Sequence, residues 1–156
     1  MLDRDTIEYN KVLCEGIKRD VGIECVKSNI TSHIPAYPYA SFTLTGMEYK
    51  KQSYNDDGKQ RYKPVRLKYS FTVISNNDNE ALHFVQALHD WLDEAGRIYL
   101  SDQNMSITEV GDIFNRDNMI TIEYEYRKGF DCVLNLMNYV SQSAEMIETF
   151  ELEKED

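Results

Sequence analysis

The stretch TIEYEYRKGFDCVLNL, residues 121–136, constrains the fold more than any other part of the chain. Ile122, Tyr124 and Tyr126 share one side, and Thr121, Glu123, Glu125 and Arg127 the other. After Lys128 and Gly129, the residues Phe130, Cys132, Leu134 and Leu136 resume the same rhythm. A period of two describes a strand with one dry and one wet face, because successive side chains point to opposite sides. Such a strand persists only in a sheet whose dry face is covered. The interruption at Lys128 and Gly129 predicts two strands, Met119–Arg127 and Phe130–Met137, folded as a central hairpin.

The same pattern recurs. Ala40–Thr45 sets Phe42 and Leu44 against Ser41, Thr43 and Thr45, and VRLKYSFTVI (65–74) places Leu67, Tyr69, Phe71 and Val73 on one side. Strands are also expected at Ile23–Lys27, Met105–Phe114 and, near the carboxyl end, Met146–Leu152; Pro35 and Pro38 mark loop or edge. Helical spacing takes over twice. From Asp5 to Val21, Tyr9, Leu13, Ile17 and Val21 recur every fourth residue, and Gly22 supplies a left-handed stop. Asn77 and Glu80 form a capping pattern before Ala81, Phe84, Val85, Leu88, Trp91, Leu92 and Ala95, one continuous apolar face. Gly96 kinks or ends that helix, and RIYLSDQ adds a turn or two. The order of elements predicts an α+β fold, a mostly antiparallel sheet with helices on one face, in a single domain spanning 1–156. Residues 47–64, MEYKKQSYNDDGKQRYKP, break the pattern. Their polar character and central NDDG turn predict a protruding hairpin arm or long loop.

Chemistry is hard to find in this sequence. His83 and His89 stand six apart on a helix, about 240° around its axis, so they cannot share a metal as an i,i+4 pair does; both are read as surface residues. Glu123 and Glu125 lie about 6–7 Å apart on one strand face, a separation compatible with a glycosidase pair. No nucleophile or metal ligand accompanies them. Asp56 and Asp57 precede Gly58 in a turn and lack calcium-loop spacing. Glycine-rich phosphate loops and G-x-S-x-G are absent. Cys14, Cys25 and Cys132 are widely separated and read as reduced packing residues. The expectation is a non-enzyme with no cofactor, no metal and no catalytic residue.

Charge excludes more. A net charge of −10 suits poorly a protein that grips phosphate backbones, which needs clustered bases. No apolar run approaches the ~20 residues of a membrane span, and the opening MLDRDTIEYN is too polar for a signal peptide. Charge is also segregated. Between Gly46 and Lys68, seven bases (Lys50, Lys51, Lys59, Arg61, Lys63, Arg66, Lys68) face Glu48, Asp56 and Asp57, a net of +4. The segment 141–156 carries Glu145, Glu148, Glu151, Glu153, Glu155 and Asp156 against Lys154, a net of −5. Complementary patches at different places on one surface make head-to-tail contacts that close into rings. The candidate interface is therefore Tyr49, Lys50, Lys51, Tyr54, Arg61, Tyr62 and Lys63 on the arm, Glu123, Glu125 and Arg127 on the wet strand face, and Glu148, Glu151 and Glu153 at the acidic end.

Residues 89–136 carry several short pieces in order: His89, Trp91, Gly96, Arg97 and Leu100, then Val110-Gly111, Asn115-Arg116-Asp117 and Gly129-Phe130-Asp131. This pattern resembles the neck or tail terminator proteins of tailed bacteriophages, and YPYASFTLT and VRLKYSFTVIS are similar to that family's strands. The resemblance implies a virion subunit made in the bacterial cytoplasm. It implies a six-fold ring on the head-proximal end of the tail tube that stops polymerisation and meets the head connector. Expected partners are further copies of the chain, the tube protein, the connector or stopper protein and, on a contractile tail, the sheath. DNA passes through the lumen without specific binding. The alternatives are another connector component on the same scaffold, or a small ligand-binding or hydrolytic α+β domain.

Overall fold

A computed structural model describes residues 6–29, 33–49, 53–54, 60–117 and 125–141. Three helices cover one face of a mostly antiparallel sheet, the α+β arrangement expected from the alternation. The elements are α1 (Thr6–Asp20), β1 (Glu24–Lys27), β2 (Tyr39–Tyr49), β3 (Ser53–Tyr54), β4 (Gln60–Ser75), α2 (Asp78–Asp93), α3 (Ala95–Ser101), β5 (Met105–Val110), β6 (Phe114–Asn115) and β7 (Tyr126–Ser141). The sheet order is β1-β2-β4-β7-β5, with β3 added to β4 and β6 to β7. Among the described residues only the β1–β2 pair is parallel.

The expected central hairpin is not there. Tyr126–Ser141 is one strand, paired residue for residue with β4 from Gln60↔Ser141 to Ser75↔Tyr126. Lys128 and Gly129 lie inside this ladder, opposite Val73 and Thr72. The reason is visible in the parity: Tyr126, Lys128, Phe130, Cys132, Leu134 and Leu136 all occupy even positions. A turn would have reversed the chain, whereas an unbroken phase lets one strand continue. Residues 119–124, the first half of that hairpin, lie outside the described residues, as does the strand expected at 146–152.

The dry face follows from the registers. Ala40 and Phe42 of β2, the odd residues Val65–Val73 of β4, the even residues Phe130–Leu136 of β7, and Met105 and Ile107 of β5 are all buried on it. Tyr9, Leu13 and Ile17 of α1 and Val85, Leu88, Trp91 and Leu92 of α2 close over them in one core. Tyr69 is fully buried, and its hydroxyl donates to Asn10 Oδ1 at 2.5 Å. Burial raises the Tyr69 phenol far above its usual range, and it pushes the Cys132 thiol up to about 12. All three cysteines are free thiols.

Capping fixes the helices where the sequence marks them. Asn77 Oδ1 accepts from the Glu80 amide at 3.0 Å, and Ser75 Oγ donates to Glu80 Oε2 at 2.8 Å. The first helix ends at Gly22, whose φ of 90° few other residues tolerate. At Gly96 a Cβ would lie 2.5 Å from the Trp91 ring and 2.6 Å from its carbonyl oxygen. That close approach lets the chain break between α2 and α3. The strand expected over Met105–Phe114 is likewise divided into β5 and β6, with Gly111 between them donating its amide to Asp131 O at 2.7 Å.

Candidate functional site

The sequence places its candidate interface in two regions of the sheet, the hairpin after β2 and the face opposite the helices. Strand β2 reaches Tyr49 and β4 begins at Gln60, so the described part of 47–64 is a hairpin continuing the sheet. Ser53 and Tyr54 add to it, opposite Tyr62 and Arg61. Strand β7 supplies its third member, with Met137–Ser141 opposite Pro64–Gln60. The arm is thus an extension of the sheet. Its two ends of charge are continuous with these strands in the sequence: Lys50 and Lys51 follow β2, and the acidic segment follows β7. Lys50, Lys51, Glu123, Glu148, Glu151 and Glu153 themselves lie outside the described residues.

On the dry side of the projecting strands Met47 is 39% and Tyr49 58% exposed, while Val65 beside them is buried at 3%. The polar side carries Arg66, whose Nη1 and Nη2 each lie 4.0 Å from a carboxylate, Glu48 and Glu109. Contacts this long and this exposed contribute little stability.

Glu125 and Arg127 are not on an open wet face. The Glu125 side chain is only 17% exposed; it accepts from Tyr37 Oη at 2.9 Å and faces Arg127 Nη2 at 3.5 Å. Next along β7, Lys128 has a side chain only 11% exposed and pairs with Asp78 at 2.8 Å and with Asp117 at 3.7 Å. Asp117 also accepts from the Arg127 amide at 2.6 Å. The alternation predicts a turn at Lys128, yet the residue is a buried cation on the dry side of β7. Its even position on an otherwise apolar face was the signal that it points inward.

The residues of the family-like pattern meet in space. Arg116 lies across the polar face above Gly129. Its Nη1 donates to Ser70 Oγ at 2.7 Å, Thr72 Oγ1 at 3.0 Å and Phe71 O at 3.3 Å, and its Nη2 to Asp131 Oδ1 at 3.1 Å. A Cβ on Gly129 would sit 2.2 Å from Phe71 O and 2.7 Å from Arg116 Nη1. The glycine therefore makes room for the guanidinium. His89, expected at the surface, is instead partly buried: its ring packs edge-on against Phe130 at 5.1 Å, and Nε2 lies 2.9 Å from Gly111 O. Phe130 draws it in, because the apolar strip of α2 is wider than its strict i,i+4 positions. Trp91 Nε1 donates to Asp20 Oδ2 at 2.9 Å, and Arg97 Nη1 to Ile107 O at 3.1 Å. These side chains tie loops and helix ends to the sheet; their chemistry is positional.

Among the described residues no three His, Cys, Asp or Glu side chains stand together as metal ligands. Two grooves, of 460 and 440 Å³, are lined by other residues than Glu125: one by Pro64, Met105, Asn135 and Leu136, the other by Ile7, Cys14, Cys25 and Phe42. No described helix is long and apolar enough to cross a membrane.

These observations define an α+β sheet whose pattern residues brace its loops and helix ends. The sequence profile of the phage neck terminator proteins matches residues 10–155, and the chain belongs to that family. Among curated proteins none matches it. The family assignment makes this a structural protein of the phage virion that works with other tail and head proteins.

Proposed function

We propose that this chain closes into a ring, six copies around, on the head-proximal end of the tail tube. There it stops tube polymerisation and joins the tail to the head connector, with DNA passing through the lumen. The observation that carries this reading is the family match over nearly the whole chain. Charge supports it, since an acidic subunit of net −10 repels phosphates along a channel and favours sliding over binding. The strands that outrun the core support it too, because they offer contact surface beyond what folding needs. In this reading the arm residues Tyr49, Tyr54, Arg61, Tyr62 and Lys63 contact a neighbouring copy or ring, and no catalytic group is required.

Imaging of virions carrying a density label on this chain tests the proposal. The label belongs between tube and connector, and tails assembled without the chain should overrun their normal length. A label on the tail tip, capsid or baseplate defeats the reading. A label within the connector itself transfers the chain to the stopper class.

A further inference from the structure

Cys14 and Cys25 stand eleven positions apart in the sequence, and the fold sets them side by side. Helix α1 and strand β1 run in opposite directions from the turn at Gly22, whose φ is 90°. Counted from that glycine, Cys14 lies about 12 Å back along the helix, at about 1.5 Å per residue. Cys25 lies about 10 Å along the strand, at about 3.3 Å per residue. The two arms are therefore level at these residues. The Lys18–Glu24 ion pair, 3.0 Å long, joins the same two elements one helical turn nearer Gly22.

Both side chains face the layer between helix and sheet. Cys25 pairs with Ala40 in the parallel β1–β2 ladder, and residues side by side in a ladder share a face. Cys25 thus turns to the dry side, where Ala40 is buried. Cys14 follows the fully buried Leu13 and stands one turn after Asn10, which accepts the Tyr69 hydroxyl from the sheet. Asn10, Cys14 and Cys25 line the same 440 Å³ groove. Each of the two thiols is half-buried, whereas Cys132 is buried. The hydrogen bond with Cys14, and after it burial, raises the Cys25 thiol above its ordinary range.

We propose that Cys14 and Cys25 form a reversible disulfide that clamps α1 to β1, with a low-molecular-weight disulfide of the glutathione class as oxidant. The chemistry is thiol–disulfide exchange. Cys14, as its thiolate, attacks one sulfur of the small disulfide. That S–S bond breaks, one small thiol leaves, and a mixed disulfide remains on Cys14. Cys25 then gives up its proton and attacks the Cys14 sulfur, and the second small thiol leaves. Two electrons pass from the protein sulfurs to the small disulfide, and the two protons end on the two small thiols. The first attack falls to Cys14 because the Cys25 thiol is the one held protonated. The new bond closes a loop of about a dozen residues around the Gly22 turn, which restricts the unfolded chain. Such a pair stays reduced in a bacterial cytoplasm and oxidises in a particle outside the cell, so the clamp fastens after release. The inference goes beyond the ring reading and does not depend on it.

Equilibrating the full chain with mixtures of reduced and oxidised glutathione, then alkylating free thiols and weighing the products, tests it. The expected product is a chain lighter by about 2 Da, whose digest links Cys14 to Cys25 and which a reductant restores. Oxidation should raise the melting temperature by about 5–10 °C. Cys14→Ser and Cys25→Ser should each abolish both the mass loss and the shift. Cys14 and Cys25 still open to alkylation under the most oxidising mixture overturn the proposal. A lasting glutathione adduct on either cysteine, a disulfide between chains, or an oxidised chain that melts no higher than the reduced one overturns it as well. A serine variant that keeps the mass loss does the same. Where a serine variant fails to fold, the wild-type digest and its two melting temperatures still decide.

Discussion

Trp91 shows what single residues do here. Its ring fills the angle between α2 and α3 against Gly96, and its indole nitrogen holds Asp20 at the end of α1. The Asp20 carboxyl is lowered to about 2, first by its hydrogen bond from Arg19 and then by the one from Trp91. A lowered carboxyl stabilises the fold above its unfolded value near 3.8 and loses that contribution as pH falls through about 2. Asp20 is open to solvent, so its effect on overall stability is small. Because Trp91 is the only tryptophan, its fluorescence reports this contact directly. A titration should show a step centred near pH 2, and Asp20→Asn should abolish the step with little change in melting temperature. A step centred at the ordinary carboxylate value would mean that neither the Arg19 nor the Trp91 hydrogen bond to Asp20 forms. None of this was legible in the sequence, where Asp20 and Trp91 are 71 positions apart. Trp91 itself was correctly placed on the apolar face of its helix.

At the scale of elements, β7 is the organising strand. It pairs with β4 along its whole length and with β5 and β6 on its other side. Gly129 is the point where the sheet admits Arg116. Replacing it with alanine sets a methyl group against the Phe71 carbonyl, which as backbone cannot swing away. Gly129→Ala should destabilise the fold by about 1–3 kcal/mol, the usual cost of overpacking, read as a lower denaturant midpoint with an unchanged slope. Unfolding at the wild-type midpoint would show that the ladder at Thr72 and Gly129 is loose. The alternating pattern predicts strand on both sides of Lys128-Gly129 but places a turn at that pair, where β7 runs through. Glycine has two uses in a strand, turning the chain and admitting a neighbour, and the continuous ladder with β4 and the close approach of Arg116 decide between them.

For the whole molecule the separation of charge matters most. If the basic arm contacts a neighbouring subunit, reversing Lys50, Lys51 and Arg61 to glutamate should weaken ring or neck assembly. The defect should be greatest at low ionic strength, since salt screens exposed charges over a length of about 10 Å at 0.1 M. Particle counts across a salt series check this, and normal assembly at every salt concentration would refute a contact by the arm.

The sequence by itself determined the fold class, the capping of α2 at Asn77, the composition of the core and the segregation of charge. Each of these depends on period or on near neighbours, which a linear reading contains. Only the tertiary structure decided that β7 is a single strand, that Lys128 is a buried cation between Asp78 and Asp117, and that Arg116 and Gly129 share one space. These depend on residues distant in sequence converging on the same few ångströms. The choice between a turn and a continuous strand was likewise made by the unbroken partner β4, which lies some 60 residues earlier in the chain.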